Sequence, residues 1–110
     1  MNIQIFGTNK CFDTKKAQRW FKERNIKFQF IDTKKYGMSE GELKNVVQVL
    51  GLDAVIDENN KNYAELKYLA YDEDKFYKLL DNQDLLKTPI VRNGKKATSG
   101  FKPEIWQTWE

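Results

Sequence analysis

Apolar residues recur with two different periods along this chain, and the switches between them lay out its elements. Ile3 and Ile5 alternate with polar neighbours and run into Gly7, which predicts a first strand over 2–6. The stretch from Gly7 to Cys11 reads as a turn. From residue 12 or 13 to residue 24 the spacing becomes helical. Ala17, Trp20 and Phe21 share one face, and Lys15, Lys16, Arg19, Lys22 and Glu23 occupy the rest. Asn25 ends that helix. Phe28 and Phe30 alternate again, with Ile31 continuing, so 27–31 is a second strand.

Gly37 marks a loop, and Ser39 opens a capping box with Glu42 three residues on. Leu43, Val46, Val47 and Leu50 form the apolar stripe of the helix that follows, and Gly51 stops it. Residues 57–62 are polar and loop-like. A short helix over 62–69 carries Leu66 and Leu69, and another over 73–80 carries Phe76, Leu79 and Leu80. Asp72, Glu73 and Asp74 suit the start of that helix, where the dipole favours negative charge. Residues 89–92 are strand-like, Asn93-Gly94 is a two-residue hairpin signal, and 95–98 is the return strand. A terminal helix from about residue 103 brings Ile105, Trp106 and Trp109 to packing positions.

The order is βαβ, a helical block, a β-hairpin and a helix. A right-handed βαβ unit followed by an antiparallel hairpin gives an α/β fold with a four-stranded mixed sheet flanked by helices. One domain over 1–110 is expected, with the helical block at about 39–82 inserted between strands two and three.

Composition narrows the chemistry. Hydrophobic residues make up 40% of the chain, enough for a core without disulfides or metal. The formal charge is only +3, with Lys interleaved with Asp and Glu, so direct nucleic-acid binding is not expected. No apolar run approaches the ~18 residues that span a bilayer, and no signal-peptide pattern precedes the first strand. The single cysteine excludes a disulfide within the chain and fits a reducing, cytoplasmic setting. There is no histidine, so a His base and a His- or Cys-based zinc site are excluded. Asp57-Glu58 lacks the partners a metal site needs.

The remaining candidate is Cys11, just before the first helix. Free N–H groups and the helix dipole favour an anion there, and Lys10, Lys15 and Lys16 add positive charge, opposed by Asp13. Thr14, three residues on, is placed to donate its hydroxyl to the sulfur. The alternative is a small apolar cysteine without chemical duty. If Cys11 acts as a nucleophile, no second cysteine can resolve a mixed disulfide, so glutathione or another external thiol or redox protein must do so. The lysine pairs 34–35 and 95–96 read as solvated faces, and Trp20, Phe21, Trp106 and Trp109 as packing residues rather than a stacking platform.

Two segments carry a resemblance. Residues 5–17, IFGTNKCFDTKKA, run a strand into a cysteine loop and then into a helix rich in Lys and Ala. Residues 86–91, LKTPIV, with Gly94-Lys95-Lys96 and then Gly100-Phe101-Lys102-Pro103-Glu104, give a proline-led hairpin and a terminal Gly-Phe-Lys segment. In order and spacing the chain resembles the arsenate reductase/Spx (ArsC-like) family of the thioredoxin-like superfamily. The resemblance implies a thioredoxin-like fold, a catalytic Cys11 and a cis bond between Thr88 and Pro89, whose neighbouring backbone would pair with a bound substrate chain. The chain departs from the family at Thr14, where many members have the second cysteine of Cys-x-x-Cys, and at Thr88, where Arg-Pro is common. None of Arg19, Arg24 and Arg92 matches an oxyanion-holding arginine of the family, and Lys102 lies where one is expected.

Two functions follow from the resemblance. One is a monothiol oxidoreductase in which Cys11 attacks a disulfide, a mixed disulfide or an oxyanion, supported by Lys10, Thr14, Thr88, Pro89 and Lys102, with no bound cofactor or metal. The other is a non-enzymatic, Spx-like module that binds RNA polymerase.

Overall fold

The computed structural model describes residues 1–110. Four strands, β1 (Ile3–Gly7), β2 (Phe28–Asp32), β3 (Ile90–Asn93) and β4 (Lys96–Ser99), form one sheet in the order β2-β1-β3-β4. β1 pairs with β2 in parallel and with β3 antiparallel, and β3 pairs antiparallel with β4. Five helices surround it: α1 (Phe12–Glu23), α2 (Glu40–Leu50), α3 (Ala64–Lys67), α4 (Asp72–Asp81) and α5 (Pro103–Trp106).

The two-residue alternation of β1 divides the core. Ile3 and Ile5 face α1 and α5, where they join Ala17, Trp20, Phe21, Val91 and Trp106. Phe6 faces the other way, into a larger cluster with Leu43 and Val46 of α2, Leu66 of α3, Phe76 and Leu79 of α4, and Ile90. The sheet is therefore covered on both faces. Trp106 closes the first layer, with its indole edge-on to Trp20 at 5.4 Å between ring centres and its N–H donated to Thr98 Oγ1 at 2.8 Å.

Local chemistry sets the boundaries. Asn25 takes φ 58°, the left-handed conformation that ends α1, and Ile26 N–H and Asn25 N–H reach back to Phe21 O and Lys22 O, both at 3.0 Å. At α2, Ser39 Oγ accepts from Glu42 N–H at 3.2 Å while Glu42 Oε1 accepts from Ser39 N–H at 2.9 Å, which closes the capping box.

Three boundaries differ from the sequence reading. The hairpin loop is Gly94-Lys95, one residue later than expected, because Asn93 pairs with Lys96. Gly94 alone there has positive φ, 61°, which fits a glycine at the first central position of a type II′ turn. The helix expected over 62–69 shrinks to Ala64–Lys67, since no side chain caps its start and Asn60 holds the preceding residues in a turn through Asn62 N–H. The terminal helix lasts one turn before tightening into a 3-10 turn at Gln107–Trp109. Two further 3-10 turns, Asp53–Val55 and Gln83–Leu85, lead into a bridge between Ile56 and Leu86 that periodicity did not signal.

Candidate functional site

Cys11 lies where β1 gives way to α1, as the residue that caps the helix start, with extended φ and ψ of −82° and 118°. Its N–H closes a turn onto Thr8 O at 3.1 Å, and its carbonyl accepts from Lys15 N–H at 3.2 Å. The thiol is half-buried. Close packing between β1 and α1 shapes this bend. Gly7 leaves room that a side chain would fill, because a Cβ at this position would clash with the Thr14 hydroxyl. Thr14 is fully buried against that glycine, and its Oγ1 has no hydrogen-bond partner.

The hydroxyl expected at the sulfur therefore comes from elsewhere. Thr88 Oγ1 donates to Cys11 Sγ at 3.1 Å, and the thiol in turn points at Thr88 O at 3.6 Å. Thr14 is excluded from this role by direction: the first turn of α1 presents its side chain to β1 and the core, not to the helix mouth. Thr88, expected at the site as a supporting residue beside Pro89, supplies its side chain as the sulfur's donor.

The segment carrying Thr88 is tied on both sides. Lys87 N–H donates to Val55 O at 2.7 Å, Ser99 Oγ donates to Lys87 O at 2.6 Å, and Gly100 N–H donates to Pro89 O at 2.9 Å. The Thr88-Pro89 peptide bond is cis. Pro89 itself is buried, and Thr88, the residue before it, reaches the thiol.

Neither of the expected lysines hydrogen-bonds the sulfur. Lys10 is exposed and its ammonium forms no ion pair. Lys102 is half-buried and lines a small cavity with Leu50, Ala54, Lys87, Thr98, Ser99 and Ile105, which includes neither Cys11 nor Thr88. No arginine reaches the sulfur. Arg92 is bound on the opposite face of the sheet to Gln4 Oε1 at 2.8 Å, Asn45 Oδ1 at 3.1 Å and Glu42 Oε2 at 3.4 Å. Arg24 stacks on Trp20, 3.9 Å from the ring centre.

One neighbour was missed by sequence reasoning. Phe12, directly after the cysteine, is 75% exposed, and the Lys16 ammonium lies 6.0 Å from its ring and 4.6 Å from that of Phe101. The signal was available: Phe12 falls off the stripe of Ala17, Trp20 and Phe21, so a large apolar side chain in the first turn had no core to enter.

A family model described as "ArsC family" matches residues 6–109. The chain belongs to the ArsC family. Among curated relatives, this ArsC-family chain is 31% identical over 107 residues to Global transcriptional regulator Spx 2 of Oceanobacillus iheyensis, covering 92% of this chain and 78% of the relative. Among solved structures, it superposes with a TM-score of 0.87 and 25% identity on an ArsC family related protein from Bacteroides fragilis, over 100% and 98% of the two chains. It superposes with a TM-score of 0.85 and 25% identity on an arsenate reductase from Vibrio cholerae, over 98% and 97%. The fold is thioredoxin-like, and within it this ArsC-family member keeps one cysteine and no arginine beside it.

Proposed function

We propose that this ArsC-family protein is a thiol oxidoreductase working by a monothiol route. The observation that carries the reading is the Thr88 hydroxyl donating to Cys11 Sγ at 3.1 Å, at the first turn of α1. The hydroxyl donor and the helix start fix the sulfur at the helix mouth. The thiolate attacks one sulfur of a disulfide or mixed disulfide; the new bond is Cys11–S–S–R, and the other half leaves as a thiolate. Glutathione or another external thiol then attacks the R sulfur of that mixed disulfide, forms a new disulfide with R and releases the Cys11 thiolate; a second external thiol attacks that disulfide, frees R as a thiol and leaves the two external thiols joined as their own disulfide. Two electrons pass from two external thiols to the substrate disulfide, so no bound cofactor is needed. A disulfide suits the site better than an oxyanion, because no guanidinium is available to grip the latter.

The test is turnover of a mixed disulfide with glutathione. Cys11→Ser is expected to abolish it, and unchanged turnover would end the reading.

A second reading rests on the 31% identity to Spx 2. On it the chain is a regulatory module that binds a polymerase subunit. Recovery of that subunit in a pull-down, with no thiol turnover in the same preparation, decides for the module.

A further inference from the structure

β2 is an edge strand with no strand on its open side, and none of its five residues is buried. The opposite edge is treated differently: Ala97, Thr98 and Ser99 of β4 are buried, and α2 packs against that strand. Thr33 N–H donates to Gly7 O at 3.0 Å, which sets the phase of the parallel ladder. Bonding to β1 therefore uses the odd-numbered residues, and the N–H and C=O of Phe28 and Phe30 point outward. An edge left in this state is a template for another strand.

Beside this edge lies an open groove of about 780 Å³ between β2 and the C-terminal part of α1, floored by Ile26, Phe28 and Phe30. Lys22 and Lys27 stand at its rim. Lys22 continues a stripe with Lys15 and Arg19, at the i, i+4, i+7 spacing of a single helix face. None of these four cations forms an ion pair, although several other lysines of the chain do. The one carboxylate on β2, Asp32, is turned to its own loop and accepts from Lys34 N–H at 2.8 Å. The edge offers backbone hydrogen bonds, apolar contact and uncompensated positive charge together.

We propose that β2 is a docking edge for an extended, acidic segment of a partner protein, which adds to the sheet as a fifth strand. Main-chain bonds to Phe28 and Phe30 supply the pairing, apolar side chains enter the groove, and flanking carboxylates meet Lys22 and Lys27. A second copy of this chain is disfavoured, because pairing β2 with β2 brings two sets of unpaired cations together. A nucleic acid uses the charge but neither the strand edge nor the groove. The surface lies at the far end of α1 from Cys11, so the proposal goes beyond the thiol reading and stands without it.

The experiment is fluorescence anisotropy with a labelled synthetic peptide of alternating valine and threonine flanked by glutamate pairs. Binding is expected to weaken about tenfold on combining Lys22→Glu with Lys27→Glu, both exposed positions that leave the fold intact. It is expected to vanish when alternate peptide nitrogens of the probe are methylated, a change that does not touch the protein. The backbone amide signals of Phe28 and Phe30 are expected to shift on titration. No binding, equal binding by the methylated peptide, or equal binding by a lysine-flanked peptide overturns the proposal. Tighter binding by a single-stranded RNA oligonucleotide, or self-association of the chain through β2 in sedimentation, also overturns it.

Discussion

Two threonines near one sulfur have opposite fates, and each makes a prediction. Thr88 spends its hydroxyl on Cys11. Thr88→Val keeps the shape and removes the donor, and it is expected to slow alkylation of Cys11 by iodoacetamide several-fold at neutral pH, since a hydrogen bond of this kind contributes about 0.5–1.5 kcal/mol. An unchanged rate would mean the donor has no hold on the thiolate. Thr14, in contrast, buries a hydroxyl that bonds to nothing. An unsatisfied buried hydroxyl costs about 1–3 kcal/mol, so Thr14→Val is expected to raise the midpoint of urea unfolding by the equivalent of about 1 kcal/mol. A lower midpoint would show that the hydroxyl has a partner in solution. Sequence distance misled here: three residues along a helix put Thr14 near Cys11 in space, but α1 turns that side chain inward onto Gly7.

At the scale of elements, the ends of helices carry energy that can be measured. Ser39→Ala removes one half of the α2 capping box and is expected to cost about 1 kcal/mol in chemical denaturation. Asn25→Gly relieves a left-handed asparagine at the end of α1 and is expected to stabilise by about 0.5 kcal/mol. If Asn25→Gly destabilises instead, the side chain contributes more than its backbone conformation costs. These termini were legible in the sequence because their chemistry is local: Ser39 with Glu42, Asn25 after the last apolar pair, glycine at the hairpin. The strands β1 and β2, and helices α1, α2 and α4, were readable from their periods alone. The 3-10 turns and the Ile56–Leu86 bridge were not, because they exist only where chain segments about thirty residues apart are pressed together by the core. The same applies to the candidate site. The position of Cys11 before a helix is a local fact, whereas its pairing with the Thr88 side chain depends on where β3 docks.

The whole molecule is joined by a few polar contacts that cross between elements. Arg92 on β3 holds Gln4 on β1 and Glu42 and Asn45 on α2, with its side chain only 16% exposed. Glu42 is thereby committed twice, to Ser39 through one carboxylate oxygen and to Arg92 through the other. Arg92→Ala leaves that carboxylate partly buried without its cation, and a loss of about 2 kcal/mol in global stability is expected from thermal unfolding. A change below about 0.5 kcal/mol would mark the network as a solvated surface contact. Because Arg92 lies across the sheet from α1, thiol reactivity in the folded protein is expected to survive this substitution.

The sulfur and its hydroxyl donor are separated by 77 positions in the chain. No fragment, frayed end or half-assembled sheet can keep them together, since the strand that brings Thr88 in must first be zipped onto β1. The hydrogen bond to the sulfur is thus a property of the finished tertiary structure and vanishes with it. On the thiol reading proposed above, alkylation speed across a denaturant series is expected to fall in step with the cooperative melting of the sheet, making this one thiol a built-in gauge of how much of the population is native.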